Sequence, residues 1–424
     1  MRIVFWLESG LASLMVAVSL PLFLDLLLVS AGSFWSSMRT RVHQSGPTLN
    51  HPHSRLAIVI PAHDEQSLIA RTIRSVQAAD AQGSNRADHA PSTIYVVAHN
   101  CTDQTAQVAE HCAATVVKLD SPGGKPAALR AGFARALSDG CQAILILDAD
   151  SVVSRNLIQA VQAALAAGAS AAQCRYEQRW PLDSEPTLAQ RLRVLAFRGM
   201  NVVRGRGRAA LGFSAGIFGN GFVLTAETLR QVPYRANTIA EDIEYHAALV
   251  ASGRSVAWIE QAQVIAELAP TGEARKTQQA RWEGGRLRVA LSAAPRLIRP
   301  SLRGSRSSIE AFLAVASLPF SLAILAVLLC LALPLPWVRL YAFTALAIAC
   351  FYLAMAVHSG PNPRRDWLAL LAAPNFLFQK IALIPRIARQ AGSKALWTRT
   401  ARENSPSLPV KPDQISNYKH NQKS

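Results

Sequence analysis

Acidic residues are scarce in this chain, and its cysteines are unpaired by any recognisable spacing. Asp and Glu number 27 against 44 Lys and Arg, which gives 424 residues a formal net charge of +17. A deficit of that size points to a negatively charged partner: nucleic acid, an anionic membrane surface or phosphorylated substrates. No helix-turn-helix pattern and no aromatic RNA-binding signature accompanies the charge. The basic residues instead crowd beside hydrophobic runs and in the C-terminal tail, so nucleic acid is set aside. Cys101, Cys112, Cys141, Cys174, Cys330 and Cys350 contain no C-x-x-C pair. That speaks against a zinc site and a disulfide framework, and it fits a reducing compartment for the polar part of the chain. There is no P-loop and no kinase signature, which leaves a phosphoryl-transfer enzyme without its motifs.

What the chain has in quantity is apolar sequence, half of all residues. Residues 11–33 are almost uninterrupted apolar and long enough to cross a hydrocarbon core. A cleaved signal peptide would be shorter and would end in a small-residue cleavage site, so a transmembrane anchor over residues 1–36 is the reading carried forward. Arg39 and Arg41 follow it, which by the positive-inside rule places the downstream domain on the cytoplasmic side. Asp25 is costly in lipid and is expected to face another helix, or with Pro21 to mark a break. Residues 312–333 and 338–357 read as a transmembrane hairpin (301–360) around the turn Pro334, Leu335, Pro336, Trp337. The segment 367–387, interrupted by Pro374, Lys380 and Pro385, reads as an interfacial amphipathic helix rather than a third span, within a region 361–390. A basic tail (391–424) closes the chain, attracted to anionic membrane lipid.

Between the apolar ends, after a polar linker (37–54), residues 55–300 follow a β-α-β-α rhythm, the mark of an α/β domain with a mostly parallel sheet. A strand from Leu56 stops at Pro61 and passes into Ala62, His63, Asp64 and Glu65. A second, 93–98, ends in His99, Asn100, Cys101, Thr102 and Asp103. A third, 115–119, is followed by Ser121, Pro122, Gly123, Gly124 and Lys125. The fourth begins at Ala143 and runs into Asp148 and Asp150. Ligands gather at the carboxyl ends of strands in open α/β sheets, so four such endings describe one cleft. Two carboxylates one residue apart repel unless a cation lies with them, and oxygen-only ligation suits Mg2+ or Mn2+ beside phosphate. In isolation such a pair is as well explained by a turn with one Asp capping the next helix.

The remaining polar clusters are less regular. A strand over 171–176 and a helix over 188–203 precede Arg204, Gly205, Arg206, Gly207 and Arg208. Gly219, Asn220 and Gly221 permit close backbone approach to a ligand, or merely a bulge and turn. Glu241 and Asp242 open a helix, a strand follows at 255–259, and Gln278, Arg281 and Trp282 share one helical face. An Arg beside an indole can grip phosphate while the ring offers a stacking face; it can also serve as an interfacial anchor.

In this order and spacing these motifs resemble a membrane-bound family 2 glycosyltransferase of the cellulose, hyaluronan and poly-N-acetylglucosamine synthase group, over roughly 56–288. The resemblance implies a GT-A-type nucleotide-sugar-binding domain. It implies donor binding by Pro61, Ala62, Glu65, Asp103, Lys125, Asp148, Gln278, Arg281 and Trp282. Metal ligation by Asp150 and Asp148 and a catalytic base at Asp242 with Glu241 follow from the same likeness, as does an acceptor side of Gly219, Asn220, Gly221 and Trp282. It further implies an inverting, metal-dependent hexosyltransferase of the inner membrane. Its donor would be a nucleotide sugar, UDP-linked by preference. Its acceptor would be a growing polysaccharide or, alternatively, a lipid, and export or synthase subunits would be its protein partners. Two positions depart from the pattern. Asp64 stands where Asn is commoner, and His99 stands where relatives carry an Asp that reads uracil. A scaffold that kept the fold and lost the chemistry would not be expected to keep Asp148, Asp150, Asp242 and Arg281.

Overall fold

The computed structural model describes residues 2–39, 54–82, 91–180, 185–236, 240–268 and 318–392, with part of 283–313. In chain order it runs α1 (Arg2–Arg39), β1 (Leu56–Ala62), α2 (Ile69–Ala81), β2 (Thr93–His99), α3 (Thr105–His111), β3 (Thr115–Leu119), α4 (Gly124–Ser138), β4 (Ala143–Ile146), β5 (Ser151–Val153), α5 (Leu157–Ala166) and β6 (Ala171–Arg179). Next come α6 (Leu188–Arg198), a π-turn (Gly199–Val203), α7 (Arg204–Ala210), β7 (Phe222–Thr225), α8 (Ala226–Gln231), α9 (Glu241–Ala251) and β8 (Ala257–Glu267). The described helices of the C-terminal part are α10 (Phe320–Ala332), α11 (Pro336–His358), α12 (Pro363–Ala369) and α13 (Ala373–Gly392). The chain divides into two compact units. Met1–Val42, Pro186–Phe213 and Arg275–Leu396 form a helical unit, and His43–Glu185, Ser214–Ala274 and Trp397–Ser424 form the other.

The second unit is built on one eight-stranded sheet in the order β3-β2-β1-β4-β7-β6-β8-β5. Its first four strands are mutually parallel, β1 lying between β2 and β4. The sequence accounts for that placement: β1 and β4 are continuous apolar runs, buried along almost their whole length, as strands covered on both faces must be. β1 runs to Ala62, one residue past Pro61. This costs no ladder bond on the β4 side, because β4 pairs with β1 only as far as Val59. The other half of the sheet is mixed, β7 lying antiparallel to both β4 and β6 while β6 and β8 run parallel. β8 is longer than the expected strand at 255–259. After β4 the chain leaves the middle of the sheet and rejoins it at the far edge, where β5 pairs with β8. Asp148 and Asp150 occupy that crossing. α2 buries Ile69, Thr72, Ile73, Val76 and Ala79, a helical stripe with one polar member.

The helical unit carries three stretches long and apolar enough to cross a membrane: Glu8–Met38, Pro336–His358 and Pro363–Arg386. α1 passes Pro21 and Asp25 unbroken, so the break allowed for at those residues does not occur. Asp25 is buried against another helix instead: Arg204 Nη2 lies 3.0 Å and Arg208 Nη1 3.4 Å from its carboxylate, and Arg208 Nη2 also reaches Glu310 at 3.2 Å. The basic run is therefore helical, continuous with α6 through the π-turn, and buried by ion pairing. Arg198 repeats the solution with Asp366 at 2.6 Å. Buried charges are tolerated only when paired in this way. α10 has 13 residues, roughly 20 Å of helix against the roughly 30 Å of a hydrocarbon core, and part of the span expected over 312–333 lies outside the described residues. The segment expected to be interfacial exposes Leu371, Phe378, Ile381 and Ile384; its length and composition admit a span as well.

The packing of α1 on α7 requires glycine. A β carbon at Gly207 would fall 2.0 Å from the Val29 carbonyl oxygen, and one at Gly32 2.4 Å from the Gly207 carbonyl oxygen. Backbone cannot withdraw as a side-chain tip can. Gly207→Ala is expected to cost about 1–3 kcal/mol and to lower the thermal midpoint of the detergent-solubilised protein by roughly 2 °C or more. Gly10→Ala, with nothing within 4 Å of the new atom, should leave it unchanged.

Candidate active site

Each of the first four strands delivers a loop to the same edge of the sheet. After β1, the Glu65 carbonyl accepts from the amides of Leu68 and Ile69 and so starts α2. The Glu65 amide donates to Thr105 Oγ1 at 2.7 Å, and the Gln66 amide donates to Asp103 Oδ2 at 3.2 Å. Asp103 Oδ1 accepts from the Thr105 amide at 2.9 Å and from its hydroxyl. The Asp103 carboxylate thus ties the β1 and β2 loops together and caps α3. Asp64 does the same from the other side, accepting from the Thr102 amide at 2.7 Å. Burial raises its pKa, but the hydrogen bonds from Thr102 and Asp103 prevail and hold it below its ordinary value. Asp64 sits at φ +52°, a region that Asp and Asn tolerate because their short side chains bond locally. Asp therefore serves here as Asn would. His99 is buried, and its Nε2 donates to the Ser121 carbonyl at 2.8 Å. The His99 ring is thus engaged with the β3 loop.

The third and fourth loops meet at Lys125. Its Nζ donates to Asp148 Oδ1 at 2.6 Å and to the Gly219 carbonyl at 2.8 Å, and lies 3.8 Å from Glu241 Oε1. Desolvation would strip the ammonium of its proton, but Asp148, Glu241 and Asp242 overcome it and raise its pKa. The reciprocal effect is visible on Glu241. Burial, together with Asp242 and Asp148 and against the opposing pull of Lys125, lifts its carboxyl from 4.5 to about 7. Tyr176 is pushed well above its usual range by burial and then by Asp148, Asp150 and Asp242. Asp148, Asp150, Glu241 and Asp242 thus converge on one region, and among the described residues Lys125 is the lysine among them. Asp242 Oδ1 accepts from the Ile243 amide at 2.9 Å, and a β carbon at Gly219 would come within 3.5 Å of Asp242 Oδ2.

The expected site residues divide accordingly. Asp148, Lys125, Gly219, Glu241 and Asp242 lie together, with Asp150 within electrostatic reach. Pro61, Ala62, Glu65 and Asp103 lie on the adjoining loops. Gln278, Arg281 and Trp282 lie outside the described residues. Asn220 lines no open surface: it is fully buried, with Oδ1 accepting from the Asp148 amide at 3.1 Å and Nδ2 donating to Ser151 Oγ at 2.8 Å. Gly221 packs where a β carbon would meet Val264 at 2.8 Å. Gln173 is a component that no motif marks. Its Oε1 accepts from the Phe218 amide at 3.0 Å, and its Nε2 donates to the Asn220 carbonyl at 2.8 Å, fixing the 218–221 loop. The only sign of it in the sequence is a polar residue inside the apolar stretch Ala171, Ala172, Gln173, Cys174.

Comparison with known proteins agrees with this arrangement. The family described as "Glycosyltransferase like family 2" matches residues 52–285, more than half of the chain. Among solved structures, the mannosyltransferase PcManGT from Pyrobaculum calidifontis, in complex with GDP-Man and Mn2+, superposes with a TM-score of 0.52 at 16% identity. The match covers 91% of this chain and all of that one. Glucosyl-3-phosphoglycerate synthase from Mycobacterium tuberculosis, in complex with Mn2+, UDP-Glc and phosphoglyceric acid, gives a TM-score of 0.37 at 18% identity over 54% of this chain and 79% of that one. No curated protein matches the chain significantly. The sheet is a GT-A-like fold, as the sequence led one to expect.

The raised Glu241 pKa has a measurable consequence. In the unfolded chain this carboxyl loses its proton near 4.5, and in the folded protein near 7, so its contribution to stability falls as pH rises between those values. Relative to Glu241→Gln, the wild type should therefore lose thermal stability from pH ~5 to pH ~7.5. A pH-independent difference between the two would show that Glu241 titrates normally.

Proposed function

This chain belongs to glycosyltransferase family 2, and we propose that it inverts the anomeric carbon of a nucleotide-diphosphate sugar while transferring it to a growing polysaccharide. The observation that carries this reading is the convergence of Asp148, Asp150, Glu241 and Asp242 around Lys125 at the carboxyl ends of parallel strands. Asp242 is the base. It lies in the first turn of α9, where the helix dipole favours the charged form, and its Oδ2 faces Gly219. The acceptor hydroxyl attacks the anomeric carbon from the face opposite the diphosphate. The new C–O bond forms as the bond to the diphosphate oxygen breaks, and the hydroxyl proton passes to Asp242. An α-linked donor so gives a β-linked product. Lys125, held by Asp148 and Gly219, lends its positive charge to the departing diphosphate.

The donor set fits a divalent cation. Among these side chains the carboxylates outnumber the ammonium, and carboxylate oxygens are the ligands that Mg2+ and Mn2+ prefer. Asp150 and Asp148 would hold it, and when bound it would act as a Lewis acid on the leaving group. UDP is the base we favour, with Asp103 and the β1 loop at the nucleoside. The family resemblance assigns Arg281 to the donor side and Trp282 to the donor and acceptor sides. The apolar stretches of the helical unit, with Arg39 and Arg41 after the first, support the reading of an inner-membrane enzyme with this site on the cytoplasmic side.

The test is nucleotide release by full-length protein reconstituted in lipid with Mn2+, across UDP-, GDP- and TDP-sugars, with the glycan product analysed by NMR. One donor should be turned over in a metal-dependent reaction that yields a β-linked polymer. Asp242→Asn should cut kcat by roughly 100-fold or more, the scale of general-base loss, with donor KM little changed. A retained anomeric configuration, or full activity in Asp242→Asn, would contradict the mechanism. Monoglycosylated lipid as the sole product would replace the polymer by a lipid acceptor.

A further inference from the structure

The backbone of the D-x-D turn is held by side chains from two other elements. The Asp148 amide donates to Asn220 Oδ1 at 3.1 Å. The Ala149 carbonyl accepts from Thr72 Oγ1 at 2.7 Å, and the Asp150 carbonyl accepts from Arg71 Nη2 at 3.4 Å. Within the turn, the Ser151 amide closes back on the Asp148 carbonyl at 3.1 Å. Thr72 and Asn220 are both fully buried, so these are not surface bonds that water would replace. Thr72 is the one polar residue among the buried positions of α2, where an apolar side chain would pack equally well. Asn220 is anchored in turn by Ser151 Oγ, and its own carbonyl by Gln173.

We propose that Thr72 and Asn220, assisted by Arg71, are positioning residues that clamp the turn so that the Asp148 and Asp150 carboxylates are preset for a divalent cation. The physical reason is electrostatic. Two carboxylates one residue apart in a half-buried site repel, and a turn free to relax would splay them. Fixing three of the turn's peptide groups from outside, with the fourth closed by the Ser151 amide, removes that freedom before the cation arrives, so less ordering is left to occur on binding. Partners that orient metal ligands without touching the metal commonly govern affinity by about 10–100-fold. The proposal rests on the metal reading above and goes beyond it in naming residues that touch neither donor nor cation. It also gives Asn220 a role different from acceptor binding.

The experiment measures Mn2+ binding to the full-length, detergent-solubilised protein by the electron paramagnetic resonance of free Mn2+, with no donor present. Thr72→Val, nearly equal in volume, should weaken Mn2+ binding by about 10-fold or more, and Thr72→Ser, which keeps the hydroxyl, should restore it to within about threefold. In turnover assays Thr72→Val should shift the Mn2+ concentration for half-activity while kcat recovers at saturating Mn2+, a split that general loosening of the fold would not give. Arg71→Gln, at a largely buried position where the guanidinium also pairs with Glu267, should weaken Mn2+ binding by about threefold, in keeping with its longer contact to the Asp150 carbonyl. Wild-type Mn2+ affinity in Thr72→Val and Arg71→Gln, alongside loss of binding in Asp150→Asn, would overturn the clamp and leave the metal reading standing. Wild-type affinity in Asp150→Asn itself would overturn both.

Discussion

The site depends on one ammonium group placed among too many carboxylates. Lys125 is bonded to Asp148 and the Gly219 carbonyl and stands close to Glu241, while Asp242 and Asp150 complete the acidic surround. Removing such a group would leave buried like charges facing one another at short range, in a medium that screens them poorly. Burial first, and then Asp242 and Asp148, lift the Glu241 carboxyl to about 7 against the pull of Lys125. A diphosphate is itself an anion, and a divalent cation held by these carboxylates would offset the charge of both. That linkage would make the cluster a site for the donor together with a cation.

Parallel β1 to β4 bring their carboxyl ends to one edge, and the passage from β4 to β5 sends the chain from the middle of the sheet to its far edge through the D-x-D turn. Gly219 and Gly221 both sit at positive φ, which an L side chain rarely adopts, and at Gly221 a β carbon would also collide with Val264. The helical unit answers the same electrostatic problem differently. There Asp25, Arg204, Arg208 and Glu310 neutralise one another, and Arg198 pairs with Asp366.

The sequence makes the first half of the sheet unit legible because its signals are local. Continuous apolar strands end in Pro61, His99, Gly124 and Asp148, and spacing alone gives their order and shared edge. Asp148, Lys125, Glu241 and Asp242 are separable from helix caps and turns only in combination. The mixed half of the sheet is hidden because β7 and β8 pair with strands distant in sequence. Asn220 is visible as a residue between two glycines, yet its inward orientation is a tertiary fact. Thr72 and Gln173 carry only the faint sign of a polar residue on an apolar face, which marks burial with a partner without saying which. The buried run Arg204 to Arg208 is misleading in composition, since arginine is ordinarily a surface residue and its partners come from α1 and from Glu310.

The central claim is that cation and diphosphate bind as one unit, the cation bridging the carboxylate cluster and the anionic donor. Calorimetric titration of the full-length protein with a nucleoside diphosphate, in the presence and absence of Mn2+, tests it most directly. Mn2+ should tighten nucleotide binding by about 10-fold or more, and the nucleotide should tighten Mn2+ by the same factor. Equal nucleotide affinity with and without Mn2+ would contradict the account.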